Sequence, residues 1–482
     1  MRIRLDGEGA LFEQLARALK KEILTGRFAR GSLLPATRTL ATAMGVSRNT
    51  AIAAYELLCA EQLTVAHPGT GTRVSDVKAP IATVTKEVPS EPQSRYSTRA
   101  RLLAPIALAG GRAGWKYDLQ YGAPLVRPKV FASWRRKQVA AAMRMGPLYP
   151  PADGLLTLRR AVAGYLLRRR GVSCAADNII IVGGTQQAVT LSARVVLNEG
   201  DSVLLEDPHY QYARHALLAH GARVHGVPVD SEGMLVAALP KRPPRLIYVT
   251  PSHQFPSGVT MSLARRLALL SYAAKHECWI FEDDYDGEFH YEGRPLPALR
   301  SLDVNERVIY TGSFSKTLFP GLRLGYVVCP MALHRDFYRA KQLDDLGCPA
   351  IEQTALAAFL ESRQYDKHLR ESLVELRLRR NALLEGIELN LGDRVQIAAS
   401  SGGMHVVVWF HELNWSAFAR LLKHAAGRGL GLHPIHPFYQ NRPSEPGLML
   451  GYAGLSPEAI RTAIALLGRC LTELESAGGG IT

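Results

Sequence analysis

The sequence predicts two unequal parts, a winged helix-turn-helix over residues 1 to 76 and a large α/β unit over residues 115 to 482. Three observations carry this. Within the first 76 residues an amphipathic helix, a helix pair broken by a glycine turn and a short hairpin follow one another. In the remainder, five short apolar runs alternate with helix-like stretches, the signature of a mostly parallel sheet covered on both faces. Between them, residues 77 to 114 are rich in Pro, Ser, Thr and Gly with no sustained period, which marks a linker.

The 482 residues are 47% hydrophobic and 21% charged, enough for a large core, so disorder and fibrous repeats are excluded. No run approaches the ~18 apolar residues of a membrane-spanning helix. The opening MRIRLDGEGALFEQ lacks the apolar stretch of a signal peptide, so a cytoplasmic protein is expected. The formal charge of +15 favours anionic partners such as nucleic acid or cofactor phosphates. Six scattered cysteines without a CxxC read as thiols of a reducing compartment. His433 and His436 lack a partner cluster, and no metal site is expected.

In the first part, Leu11, Leu15, Ala18, Leu19 and Ile23 share one helical face, which Gly26 ends. After Pro35, two helices meet at Gly45-Val46, and Ser47 caps the second. The second helix of such a motif enters the DNA major groove and reads bases with its N-terminal side chains. Here those are Ser47, Arg48, Asn49 and Thr50. Arg pairs bidentately with guanine and Asn with adenine, while Ser or Thr takes a phosphate or a base edge. Arg38, in the preceding helix, can reach the backbone, and the wing tip Gly69-Thr70-Gly71 allows close approach. A solvated helical domain with incidental polar caps accounts for any one of these residues, but not for the ordered set.

That set, Leu34-Pro35-Ala36-Thr37-Arg38-Thr39-Leu40-Ala41, then Gly45-Val46-Ser47-Arg48-Asn49-Thr50, then Gly69-Thr70-Gly71-Thr72, resembles the DNA-binding domain of the GntR family of bacterial transcriptional regulators. The resemblance implies operator double-stranded DNA as a partner. Residues 77 to 116 hold seven Lys/Arg against two acids, so the linker is either a plain solvated tether or a source of extra phosphate contacts.

Ligands of parallel sheets bind beyond the carboxyl ends of the strands. After Ile179–Val182 comes Gly183-Gly184-Thr185-Gln186, a glycine turn opening a helix and suited to an anion. Dinucleotide and Walker fingerprints are absent. After Leu205, Glu206-Asp207-Pro208-His209-Tyr210 puts an aromatic ring at the mouth. The strand ending Glu282-Asp283-Asp284-Tyr285-Asp286 is either a metal site or the partner of a buried cation. The segment RVIYTGSFSKTLFPGLRLGYVV decides between them, because Ser313, Ser315, Lys316 and Arg323 together offer an imine-forming amine and phosphate ligands. With a distant Asp for a pyridinium, these are the needs of pyridoxal 5'-phosphate.

Taken together, residues 115 to 482 resemble fold-type I, class I aminotransferases, which implies a smaller C-terminal α+β subdomain. The resemblance makes Lys316 the Schiff-base lysine, Asp283 the partner of the pyridine nitrogen, and Tyr285 the phenol near the ring 3-oxygen. Tyr210 becomes the ring-stacking aromatic, and Gly184, Thr185, Gln186, Ser313, Ser315 and Arg323 the phosphate cup. The whole chain is similar to the MocR subfamily of GntR-type regulators, which includes GabR and PdxR. It implies a head-to-tail homodimer whose large domain senses an amine, an amino acid or pyridoxal phosphate itself.

Two departures bear on catalysis. Phe255-Pro256-Ser257-Gly258 stands where the enzymes have Asn-Pro-x-Gly, leaving His253 or Gln254 to substitute. Met449 stands where they carry an arginine for the substrate carboxylate, with Arg442 a nearby cation. The reading is a regulator that senses rather than turns over; the rival is an active aminotransferase tethered to DNA. A regulator that has lost the cofactor is opposed by the intact lysine.

Overall fold

A computed structural model of the chain describes residues 3–75, 94–104, 114–125, 127–293, 296–398 and 401–476. They fall into two compact units, Met1–Gln93 and Ser94–Thr482.

In the first unit, helix Leu11–Leu24 packs on the helix Arg48–Ala60, which also carries Thr37–Met44. Strands β1 (Thr64–His67) and β2 (Gly71–Val74) form the antiparallel wing. Leu15, Leu19, Leu40, Ala51, Ala54 and Leu58 fill the core. The Tyr55 hydroxyl donates to the Pro35 carbonyl at 2.6 Å, pinning the lead-in of the first helix of the pair to the second. Leu11, expected on the buried face, is 53% exposed. Gln14 is buried instead, because its amide accepts from the Gly7 N–H and donates to the Gly9 carbonyl, tying the preceding chain to the helix.

The second unit begins inside the segment read as linker. Helix Arg95–Leu102 has no buried residue and no apolar stripe, so periodicity could not reveal it. It is held by polar contacts: Arg99 donates to the Ala219 carbonyl and to Glu199, both at 2.9 Å. Residues 77–93 and 105–113 of the predicted linker lie outside the described residues.

After β3 (Tyr117–Asp118), the chain builds an eight-stranded sheet from β4 (Ile179–Val182), β5 (Ser202–Asp207), β6 (Arg223–Asp230), β7 (Gly233–Met234), β8 (Leu246–Val249), β9 (Trp279–Asp284), β10 (Val308–Ser313) and β11 (Gly325–Val328). The spatial order is β4-β11-β10-β9-β8-β5-β6-β7. The five strands expected from sequence are β4, β5, β8, β9 and β10, which run in one direction. β11 lies antiparallel between β4 and β10. Ile179 and Ile181 enter one core cluster and Ile180 and Val182 another, as a sheet covered on both faces requires.

A smaller antiparallel sheet, β12 (Gln396–Ile397), β13 (His405–Trp409), β16 (Gly447–Gly451) and β15 (His433–Pro434) in that order, forms the C-terminal α+β part with helices Gln364–Asn390, Trp415–Gly427 and Pro457–Ser476. The short β14 (Leu430–Gly431) pairs in parallel with β3. Among the described residues no helix is long and apolar enough to cross a membrane.

Candidate functional site

In the first unit, Ser47 caps the helix Arg48–Ala60. Its hydroxyl accepts from the Thr50 N–H at 3.1 Å and lies 2.8 Å from the Thr50 hydroxyl. Ser47 and Thr50 thus spend hydrogen-bonding capacity on the cap, and the longer side chains of Arg48 and Asn49 stand exposed beside them. Arg38 is exposed on the preceding helix, and Gly71 begins the second wing strand.

In the second unit, the polar clusters meet at the carboxyl edge of the sheet. Gly184 adopts φ 101°, and a Cβ there would lie 3.3 Å from an Arg323 guanidinium nitrogen. Only glycine lets the arginine close over the turn that opens helix Thr185–Val196. The helix N-terminus, the guanidinium and the hydroxyls of Ser313 and Ser315, 2.9 Å apart, compose a cup of donors suited to a phosphate ester. Thr185 stands at the first helical position. The Gln186 side chain donates to the Tyr212 carbonyl at 3.2 Å, fastening the first turn of the helix Gln211–His220 that Tyr210 caps.

Asp283, at the end of β9, accepts from the Tyr248 hydroxyl through Oδ2 at 2.6 Å. Its Oδ1 is buried and has no hydrogen-bond partner among the described residues. An orphaned buried carboxylate oxygen is costly unless something donates to it. The protonated nitrogen of a pyridine ring is such a donor, and the residues present fit pyridoxal phosphate on this ground. Burial pushes Asp283 up to about 7. Tyr210 flanks the same space, edge-on to Phe255 at 5.8 Å.

Lys316 reaches the far side. Its ammonium donates to the Gly122 carbonyl at 2.6 Å, and Gly122 adopts φ 70°, which favours glycine there. Burial lowers the lysine pKa, against the opposing pull of Asp286 and Asp283. The Tyr285 hydroxyl lies 2.9 Å from His253 Nδ1, itself 3.0 Å from Asp286. Burial, with Asp286 and Asp283, holds that phenol well above its usual range. Of the two candidates to stand in for the missing asparagine, His253 therefore contacts Tyr285. Gln254 is turned away, donating to the Pro208 carbonyl at 2.7 Å and accepting from Ser257. Arg442 is exposed and lies over the Trp415 ring at 3.7 Å, while Met449 is fully buried. Gly122, Tyr248 and His405 were not singled out from sequence, and Asp286 was named only as one of the acids at the end of β9; for Tyr248 and His405 the signal was a polar group beside or within an apolar run.

The buried acids make a pH prediction. Glu206, Glu282 and Asp283 are each pushed up to about 7 by burial, above the ~4 of an unfolded carboxyl. The stability they contribute is complete below pH ~4 and gone once pH passes 7. His209 and His405, pushed down to about 4 and about 3 by burial, act in the opposite sense, but above pH ~6.5 each has only about 0.4 kcal/mol left to give, roughly half of what each acid loses there. Between pH 6.5 and 8 the melting temperature of the cofactor-free protein should therefore fall, by up to about 1 kcal/mol of stability per acid. Asp283→Asn should shrink the fall. A melting temperature that rises over this range would contradict the burial argument.

Residues 11–74 match the bacterial regulatory proteins of the gntR family, and residues 116–466 match aminotransferase class I and II. The probable rhizopine catabolism regulatory protein MocR of Rhizobium meliloti is 34% identical, over 98% of this chain and 96% of its own length. This chain belongs to the MocR subfamily. A second MocR-like relative, the HTH-type transcriptional regulator TauR of Rhodobacter capsulatus, is 33% identical over 96% of this chain and 97% of its own. The large part of this MocR-type chain is similar to the kynurenine aminotransferase of Pyrococcus horikoshii, solved in complex with PMP. There the TM-score is 0.68 at 30% identity, covering 74% of this chain and 91% of that one. The MocR-type architecture, a GntR reader followed by a fold-type I aminotransferase domain, matches the order of the two sites described above.

Proposed function

We propose that this DNA-binding regulator reads its operator in the cytoplasm through residues 1 to 76, with Arg48, Asn49 and Arg38 as its main DNA contacts. Residues 115 to 482 hold pyridoxal phosphate on Lys316 and sense an amine, an amino acid or the cofactor itself. The observation that carries the cofactor reading is the orphaned Oδ1 of Asp283, buried at the same strand edge as Lys316 and the Arg323 cup. When bound, pyridoxal phosphate would supply an aldehyde carbon able to condense with a primary amine, its carbonyl oxygen leaving as water. The chain's part is to anchor it through the Lys316 amine, neutralise its phosphate with Arg323 and hold the pyridine proton at Asp283. Tyr285 would meet the ring 3-oxygen, and Tyr210 would cover the ring face.

A homodimer, head-to-tail as in the subfamily, is part of this reading. Met143, Leu148 and Tyr149 are each more than 80% exposed, and Leu148 and Tyr149 line one surface cavity with Pro349 and Ile351. Apolar surface of this kind marks an interaction face, and a second copy of the chain suits it.

The presence of Lys316, Asp283 and Tyr285 together keeps the tethered aminotransferase as the rival. Turnover needs an amino acid oriented by a fixed cation on its carboxylate, and Met449 stands in that slot. The test is binding of the purified protein to its own upstream DNA with and without pyridoxal phosphate, alongside steady-state transamination. We expect cofactor- or ligand-dependent DNA affinity, and transamination orders of magnitude below the ~10 per second typical of enzymes. Turnover near that rate would put the rival first.

A further inference from the structure

The walls around the Lys316 amine carry an inference about ligand class, one that rests on the cofactor reading above. The residue beside Gly122, Tyr121, packs against an apolar cluster built from Val407, Ile435, Phe438 and Met449. Phe255 is the hub of this wall. It stands edge-on to Phe438 at 5.3 Å and to Tyr285 and Tyr210 at 5.8 Å each, and its ring lies 5.9 Å from that of Tyr121. Met449 is fully buried in β16, with Val407 of β13 on one side and His433 of β15 on the other.

The basic groups around this wall are engaged elsewhere or, like His209, whose pKa burial pushes down to about 4, kept neutral. Arg323 closes over the Gly184 turn. His433 lies 2.7 Å from the Asp118 carboxylate. His405 is kept neutral by burial, its pKa pushed down to about 3, and it lies 2.8 Å from the Pro256 carbonyl. His253 stands between Tyr285 and Asp286, and Arg442 lies exposed on Trp415. The charges that bear on Lys316 are the carboxylates of Asp286 and Asp283. A ligand carboxylate entering here would be desolvated against rings and aliphatic groups, with acids rather than a cation nearby, which is an uncompensated cost. An uncharged aryl or alkyl substituent would instead gain by burial against the same wall.

We infer that the effector pocket selects a primary amine without a carboxylate on its amine-bearing carbon, an arylalkylamine rather than an α-amino acid. Specificity then lies in the rings around Phe255 and in Met449.

The test compares 2-phenylethylamine with L-phenylalanine, which differ by the carboxylate alone, on the full-length protein loaded with pyridoxal phosphate. Binding is read by the change in visible absorption and by calorimetry, with no turnover required. The expected result is that 2-phenylethylamine binds at least tenfold more tightly, and that Met449→Arg reverses the preference by restoring a cation at the wall. Equal or tighter binding of L-phenylalanine to the wild-type protein overturns the inference, and so does silence towards both amines while the visible cofactor band persists. The wild-type comparison decides even if the variant does not fold. Absence of any cofactor band would instead defeat the underlying cofactor reading, so the two failures are distinguishable.

Discussion

Purified Lys316→Ala should lose the visible absorption band of lysine-linked pyridoxal phosphate and resist labelling by borohydride reduction, while keeping the oligomeric state of the wild-type protein. Covalent capture of an aldehyde needs a neutral amine within reach. Burial lowers the Lys316 pKa, so more of that amine is free at neutral pH than for a lysine in water. The chain holds a useful internal control. Lys341 is fully buried, and its amine is committed to the Asp345 carboxylate at 2.5 Å and to the Gln187 amide oxygen at 3.1 Å. An amine tied into these two contacts has no free path to an aldehyde, and Lys341→Met should keep the reducible adduct. The cup around Gly184 and Arg323 does not depend on the Lys316 side chain, so Lys316→Ala should still bind the cofactor non-covalently. A Lys316→Ala protein that retains a reducible adduct would place the anchor elsewhere.

The sequence made one half of this site legible and hid the other, for a physical reason. Residues at strand ends announce themselves, because an apolar run that stops at Gly183, Glu282 or Ser313 must turn where the sheet's ligands bind. Asp283, Tyr285 and Lys316 stand out as candidates that way, and Arg323 through a further polar break within apolar sequence. Gly122 does not, since it meets Lys316 across 194 residues of chain and belongs to no periodic element. Tyr248 looked like one more apolar residue of a buried strand, and only the register of β8 beside β9 brings its hydroxyl to Asp283. β6 escaped notice because its burial is irregular, exposed at Arg223 and buried at Val227, without a continuous apolar run. β11, though apolar, lay hidden behind the polar break at Arg323. Helix Arg95–Leu102 read as linker because its contacts are arginine hydrogen bonds rather than an apolar face. In the first unit, by contrast, the first helix, Leu11–Leu24, was legible end to end because an apolar stripe and a terminal glycine bounded it.

The DNA-reading unit offers the second large effect. Arg48→Ala should weaken operator binding by about 1 to 3 kcal/mol, the range for losing one bidentate base contact, and should relax selectivity at one base pair. The geometry favours Arg48 for this role over Ser47 and Thr50, which spend their hydroxyls on the helix cap. Arg48 is the first helical residue and is exposed. Ser47→Ala should act by another route, loosening the cap by about 1 kcal/mol and lowering thermal stability together with affinity. Arg38→Ala should lower affinity across all sequences and flatten the salt dependence by about one unit of slope, as loss of a phosphate contact does. The three variants thus separate base reading, helix capping and backbone attraction by competition binding, melting and salt titration. If Arg48→Ala left operator selectivity unchanged while Arg38→Ala altered it, the first helix of the pair rather than the second would be the one reading bases.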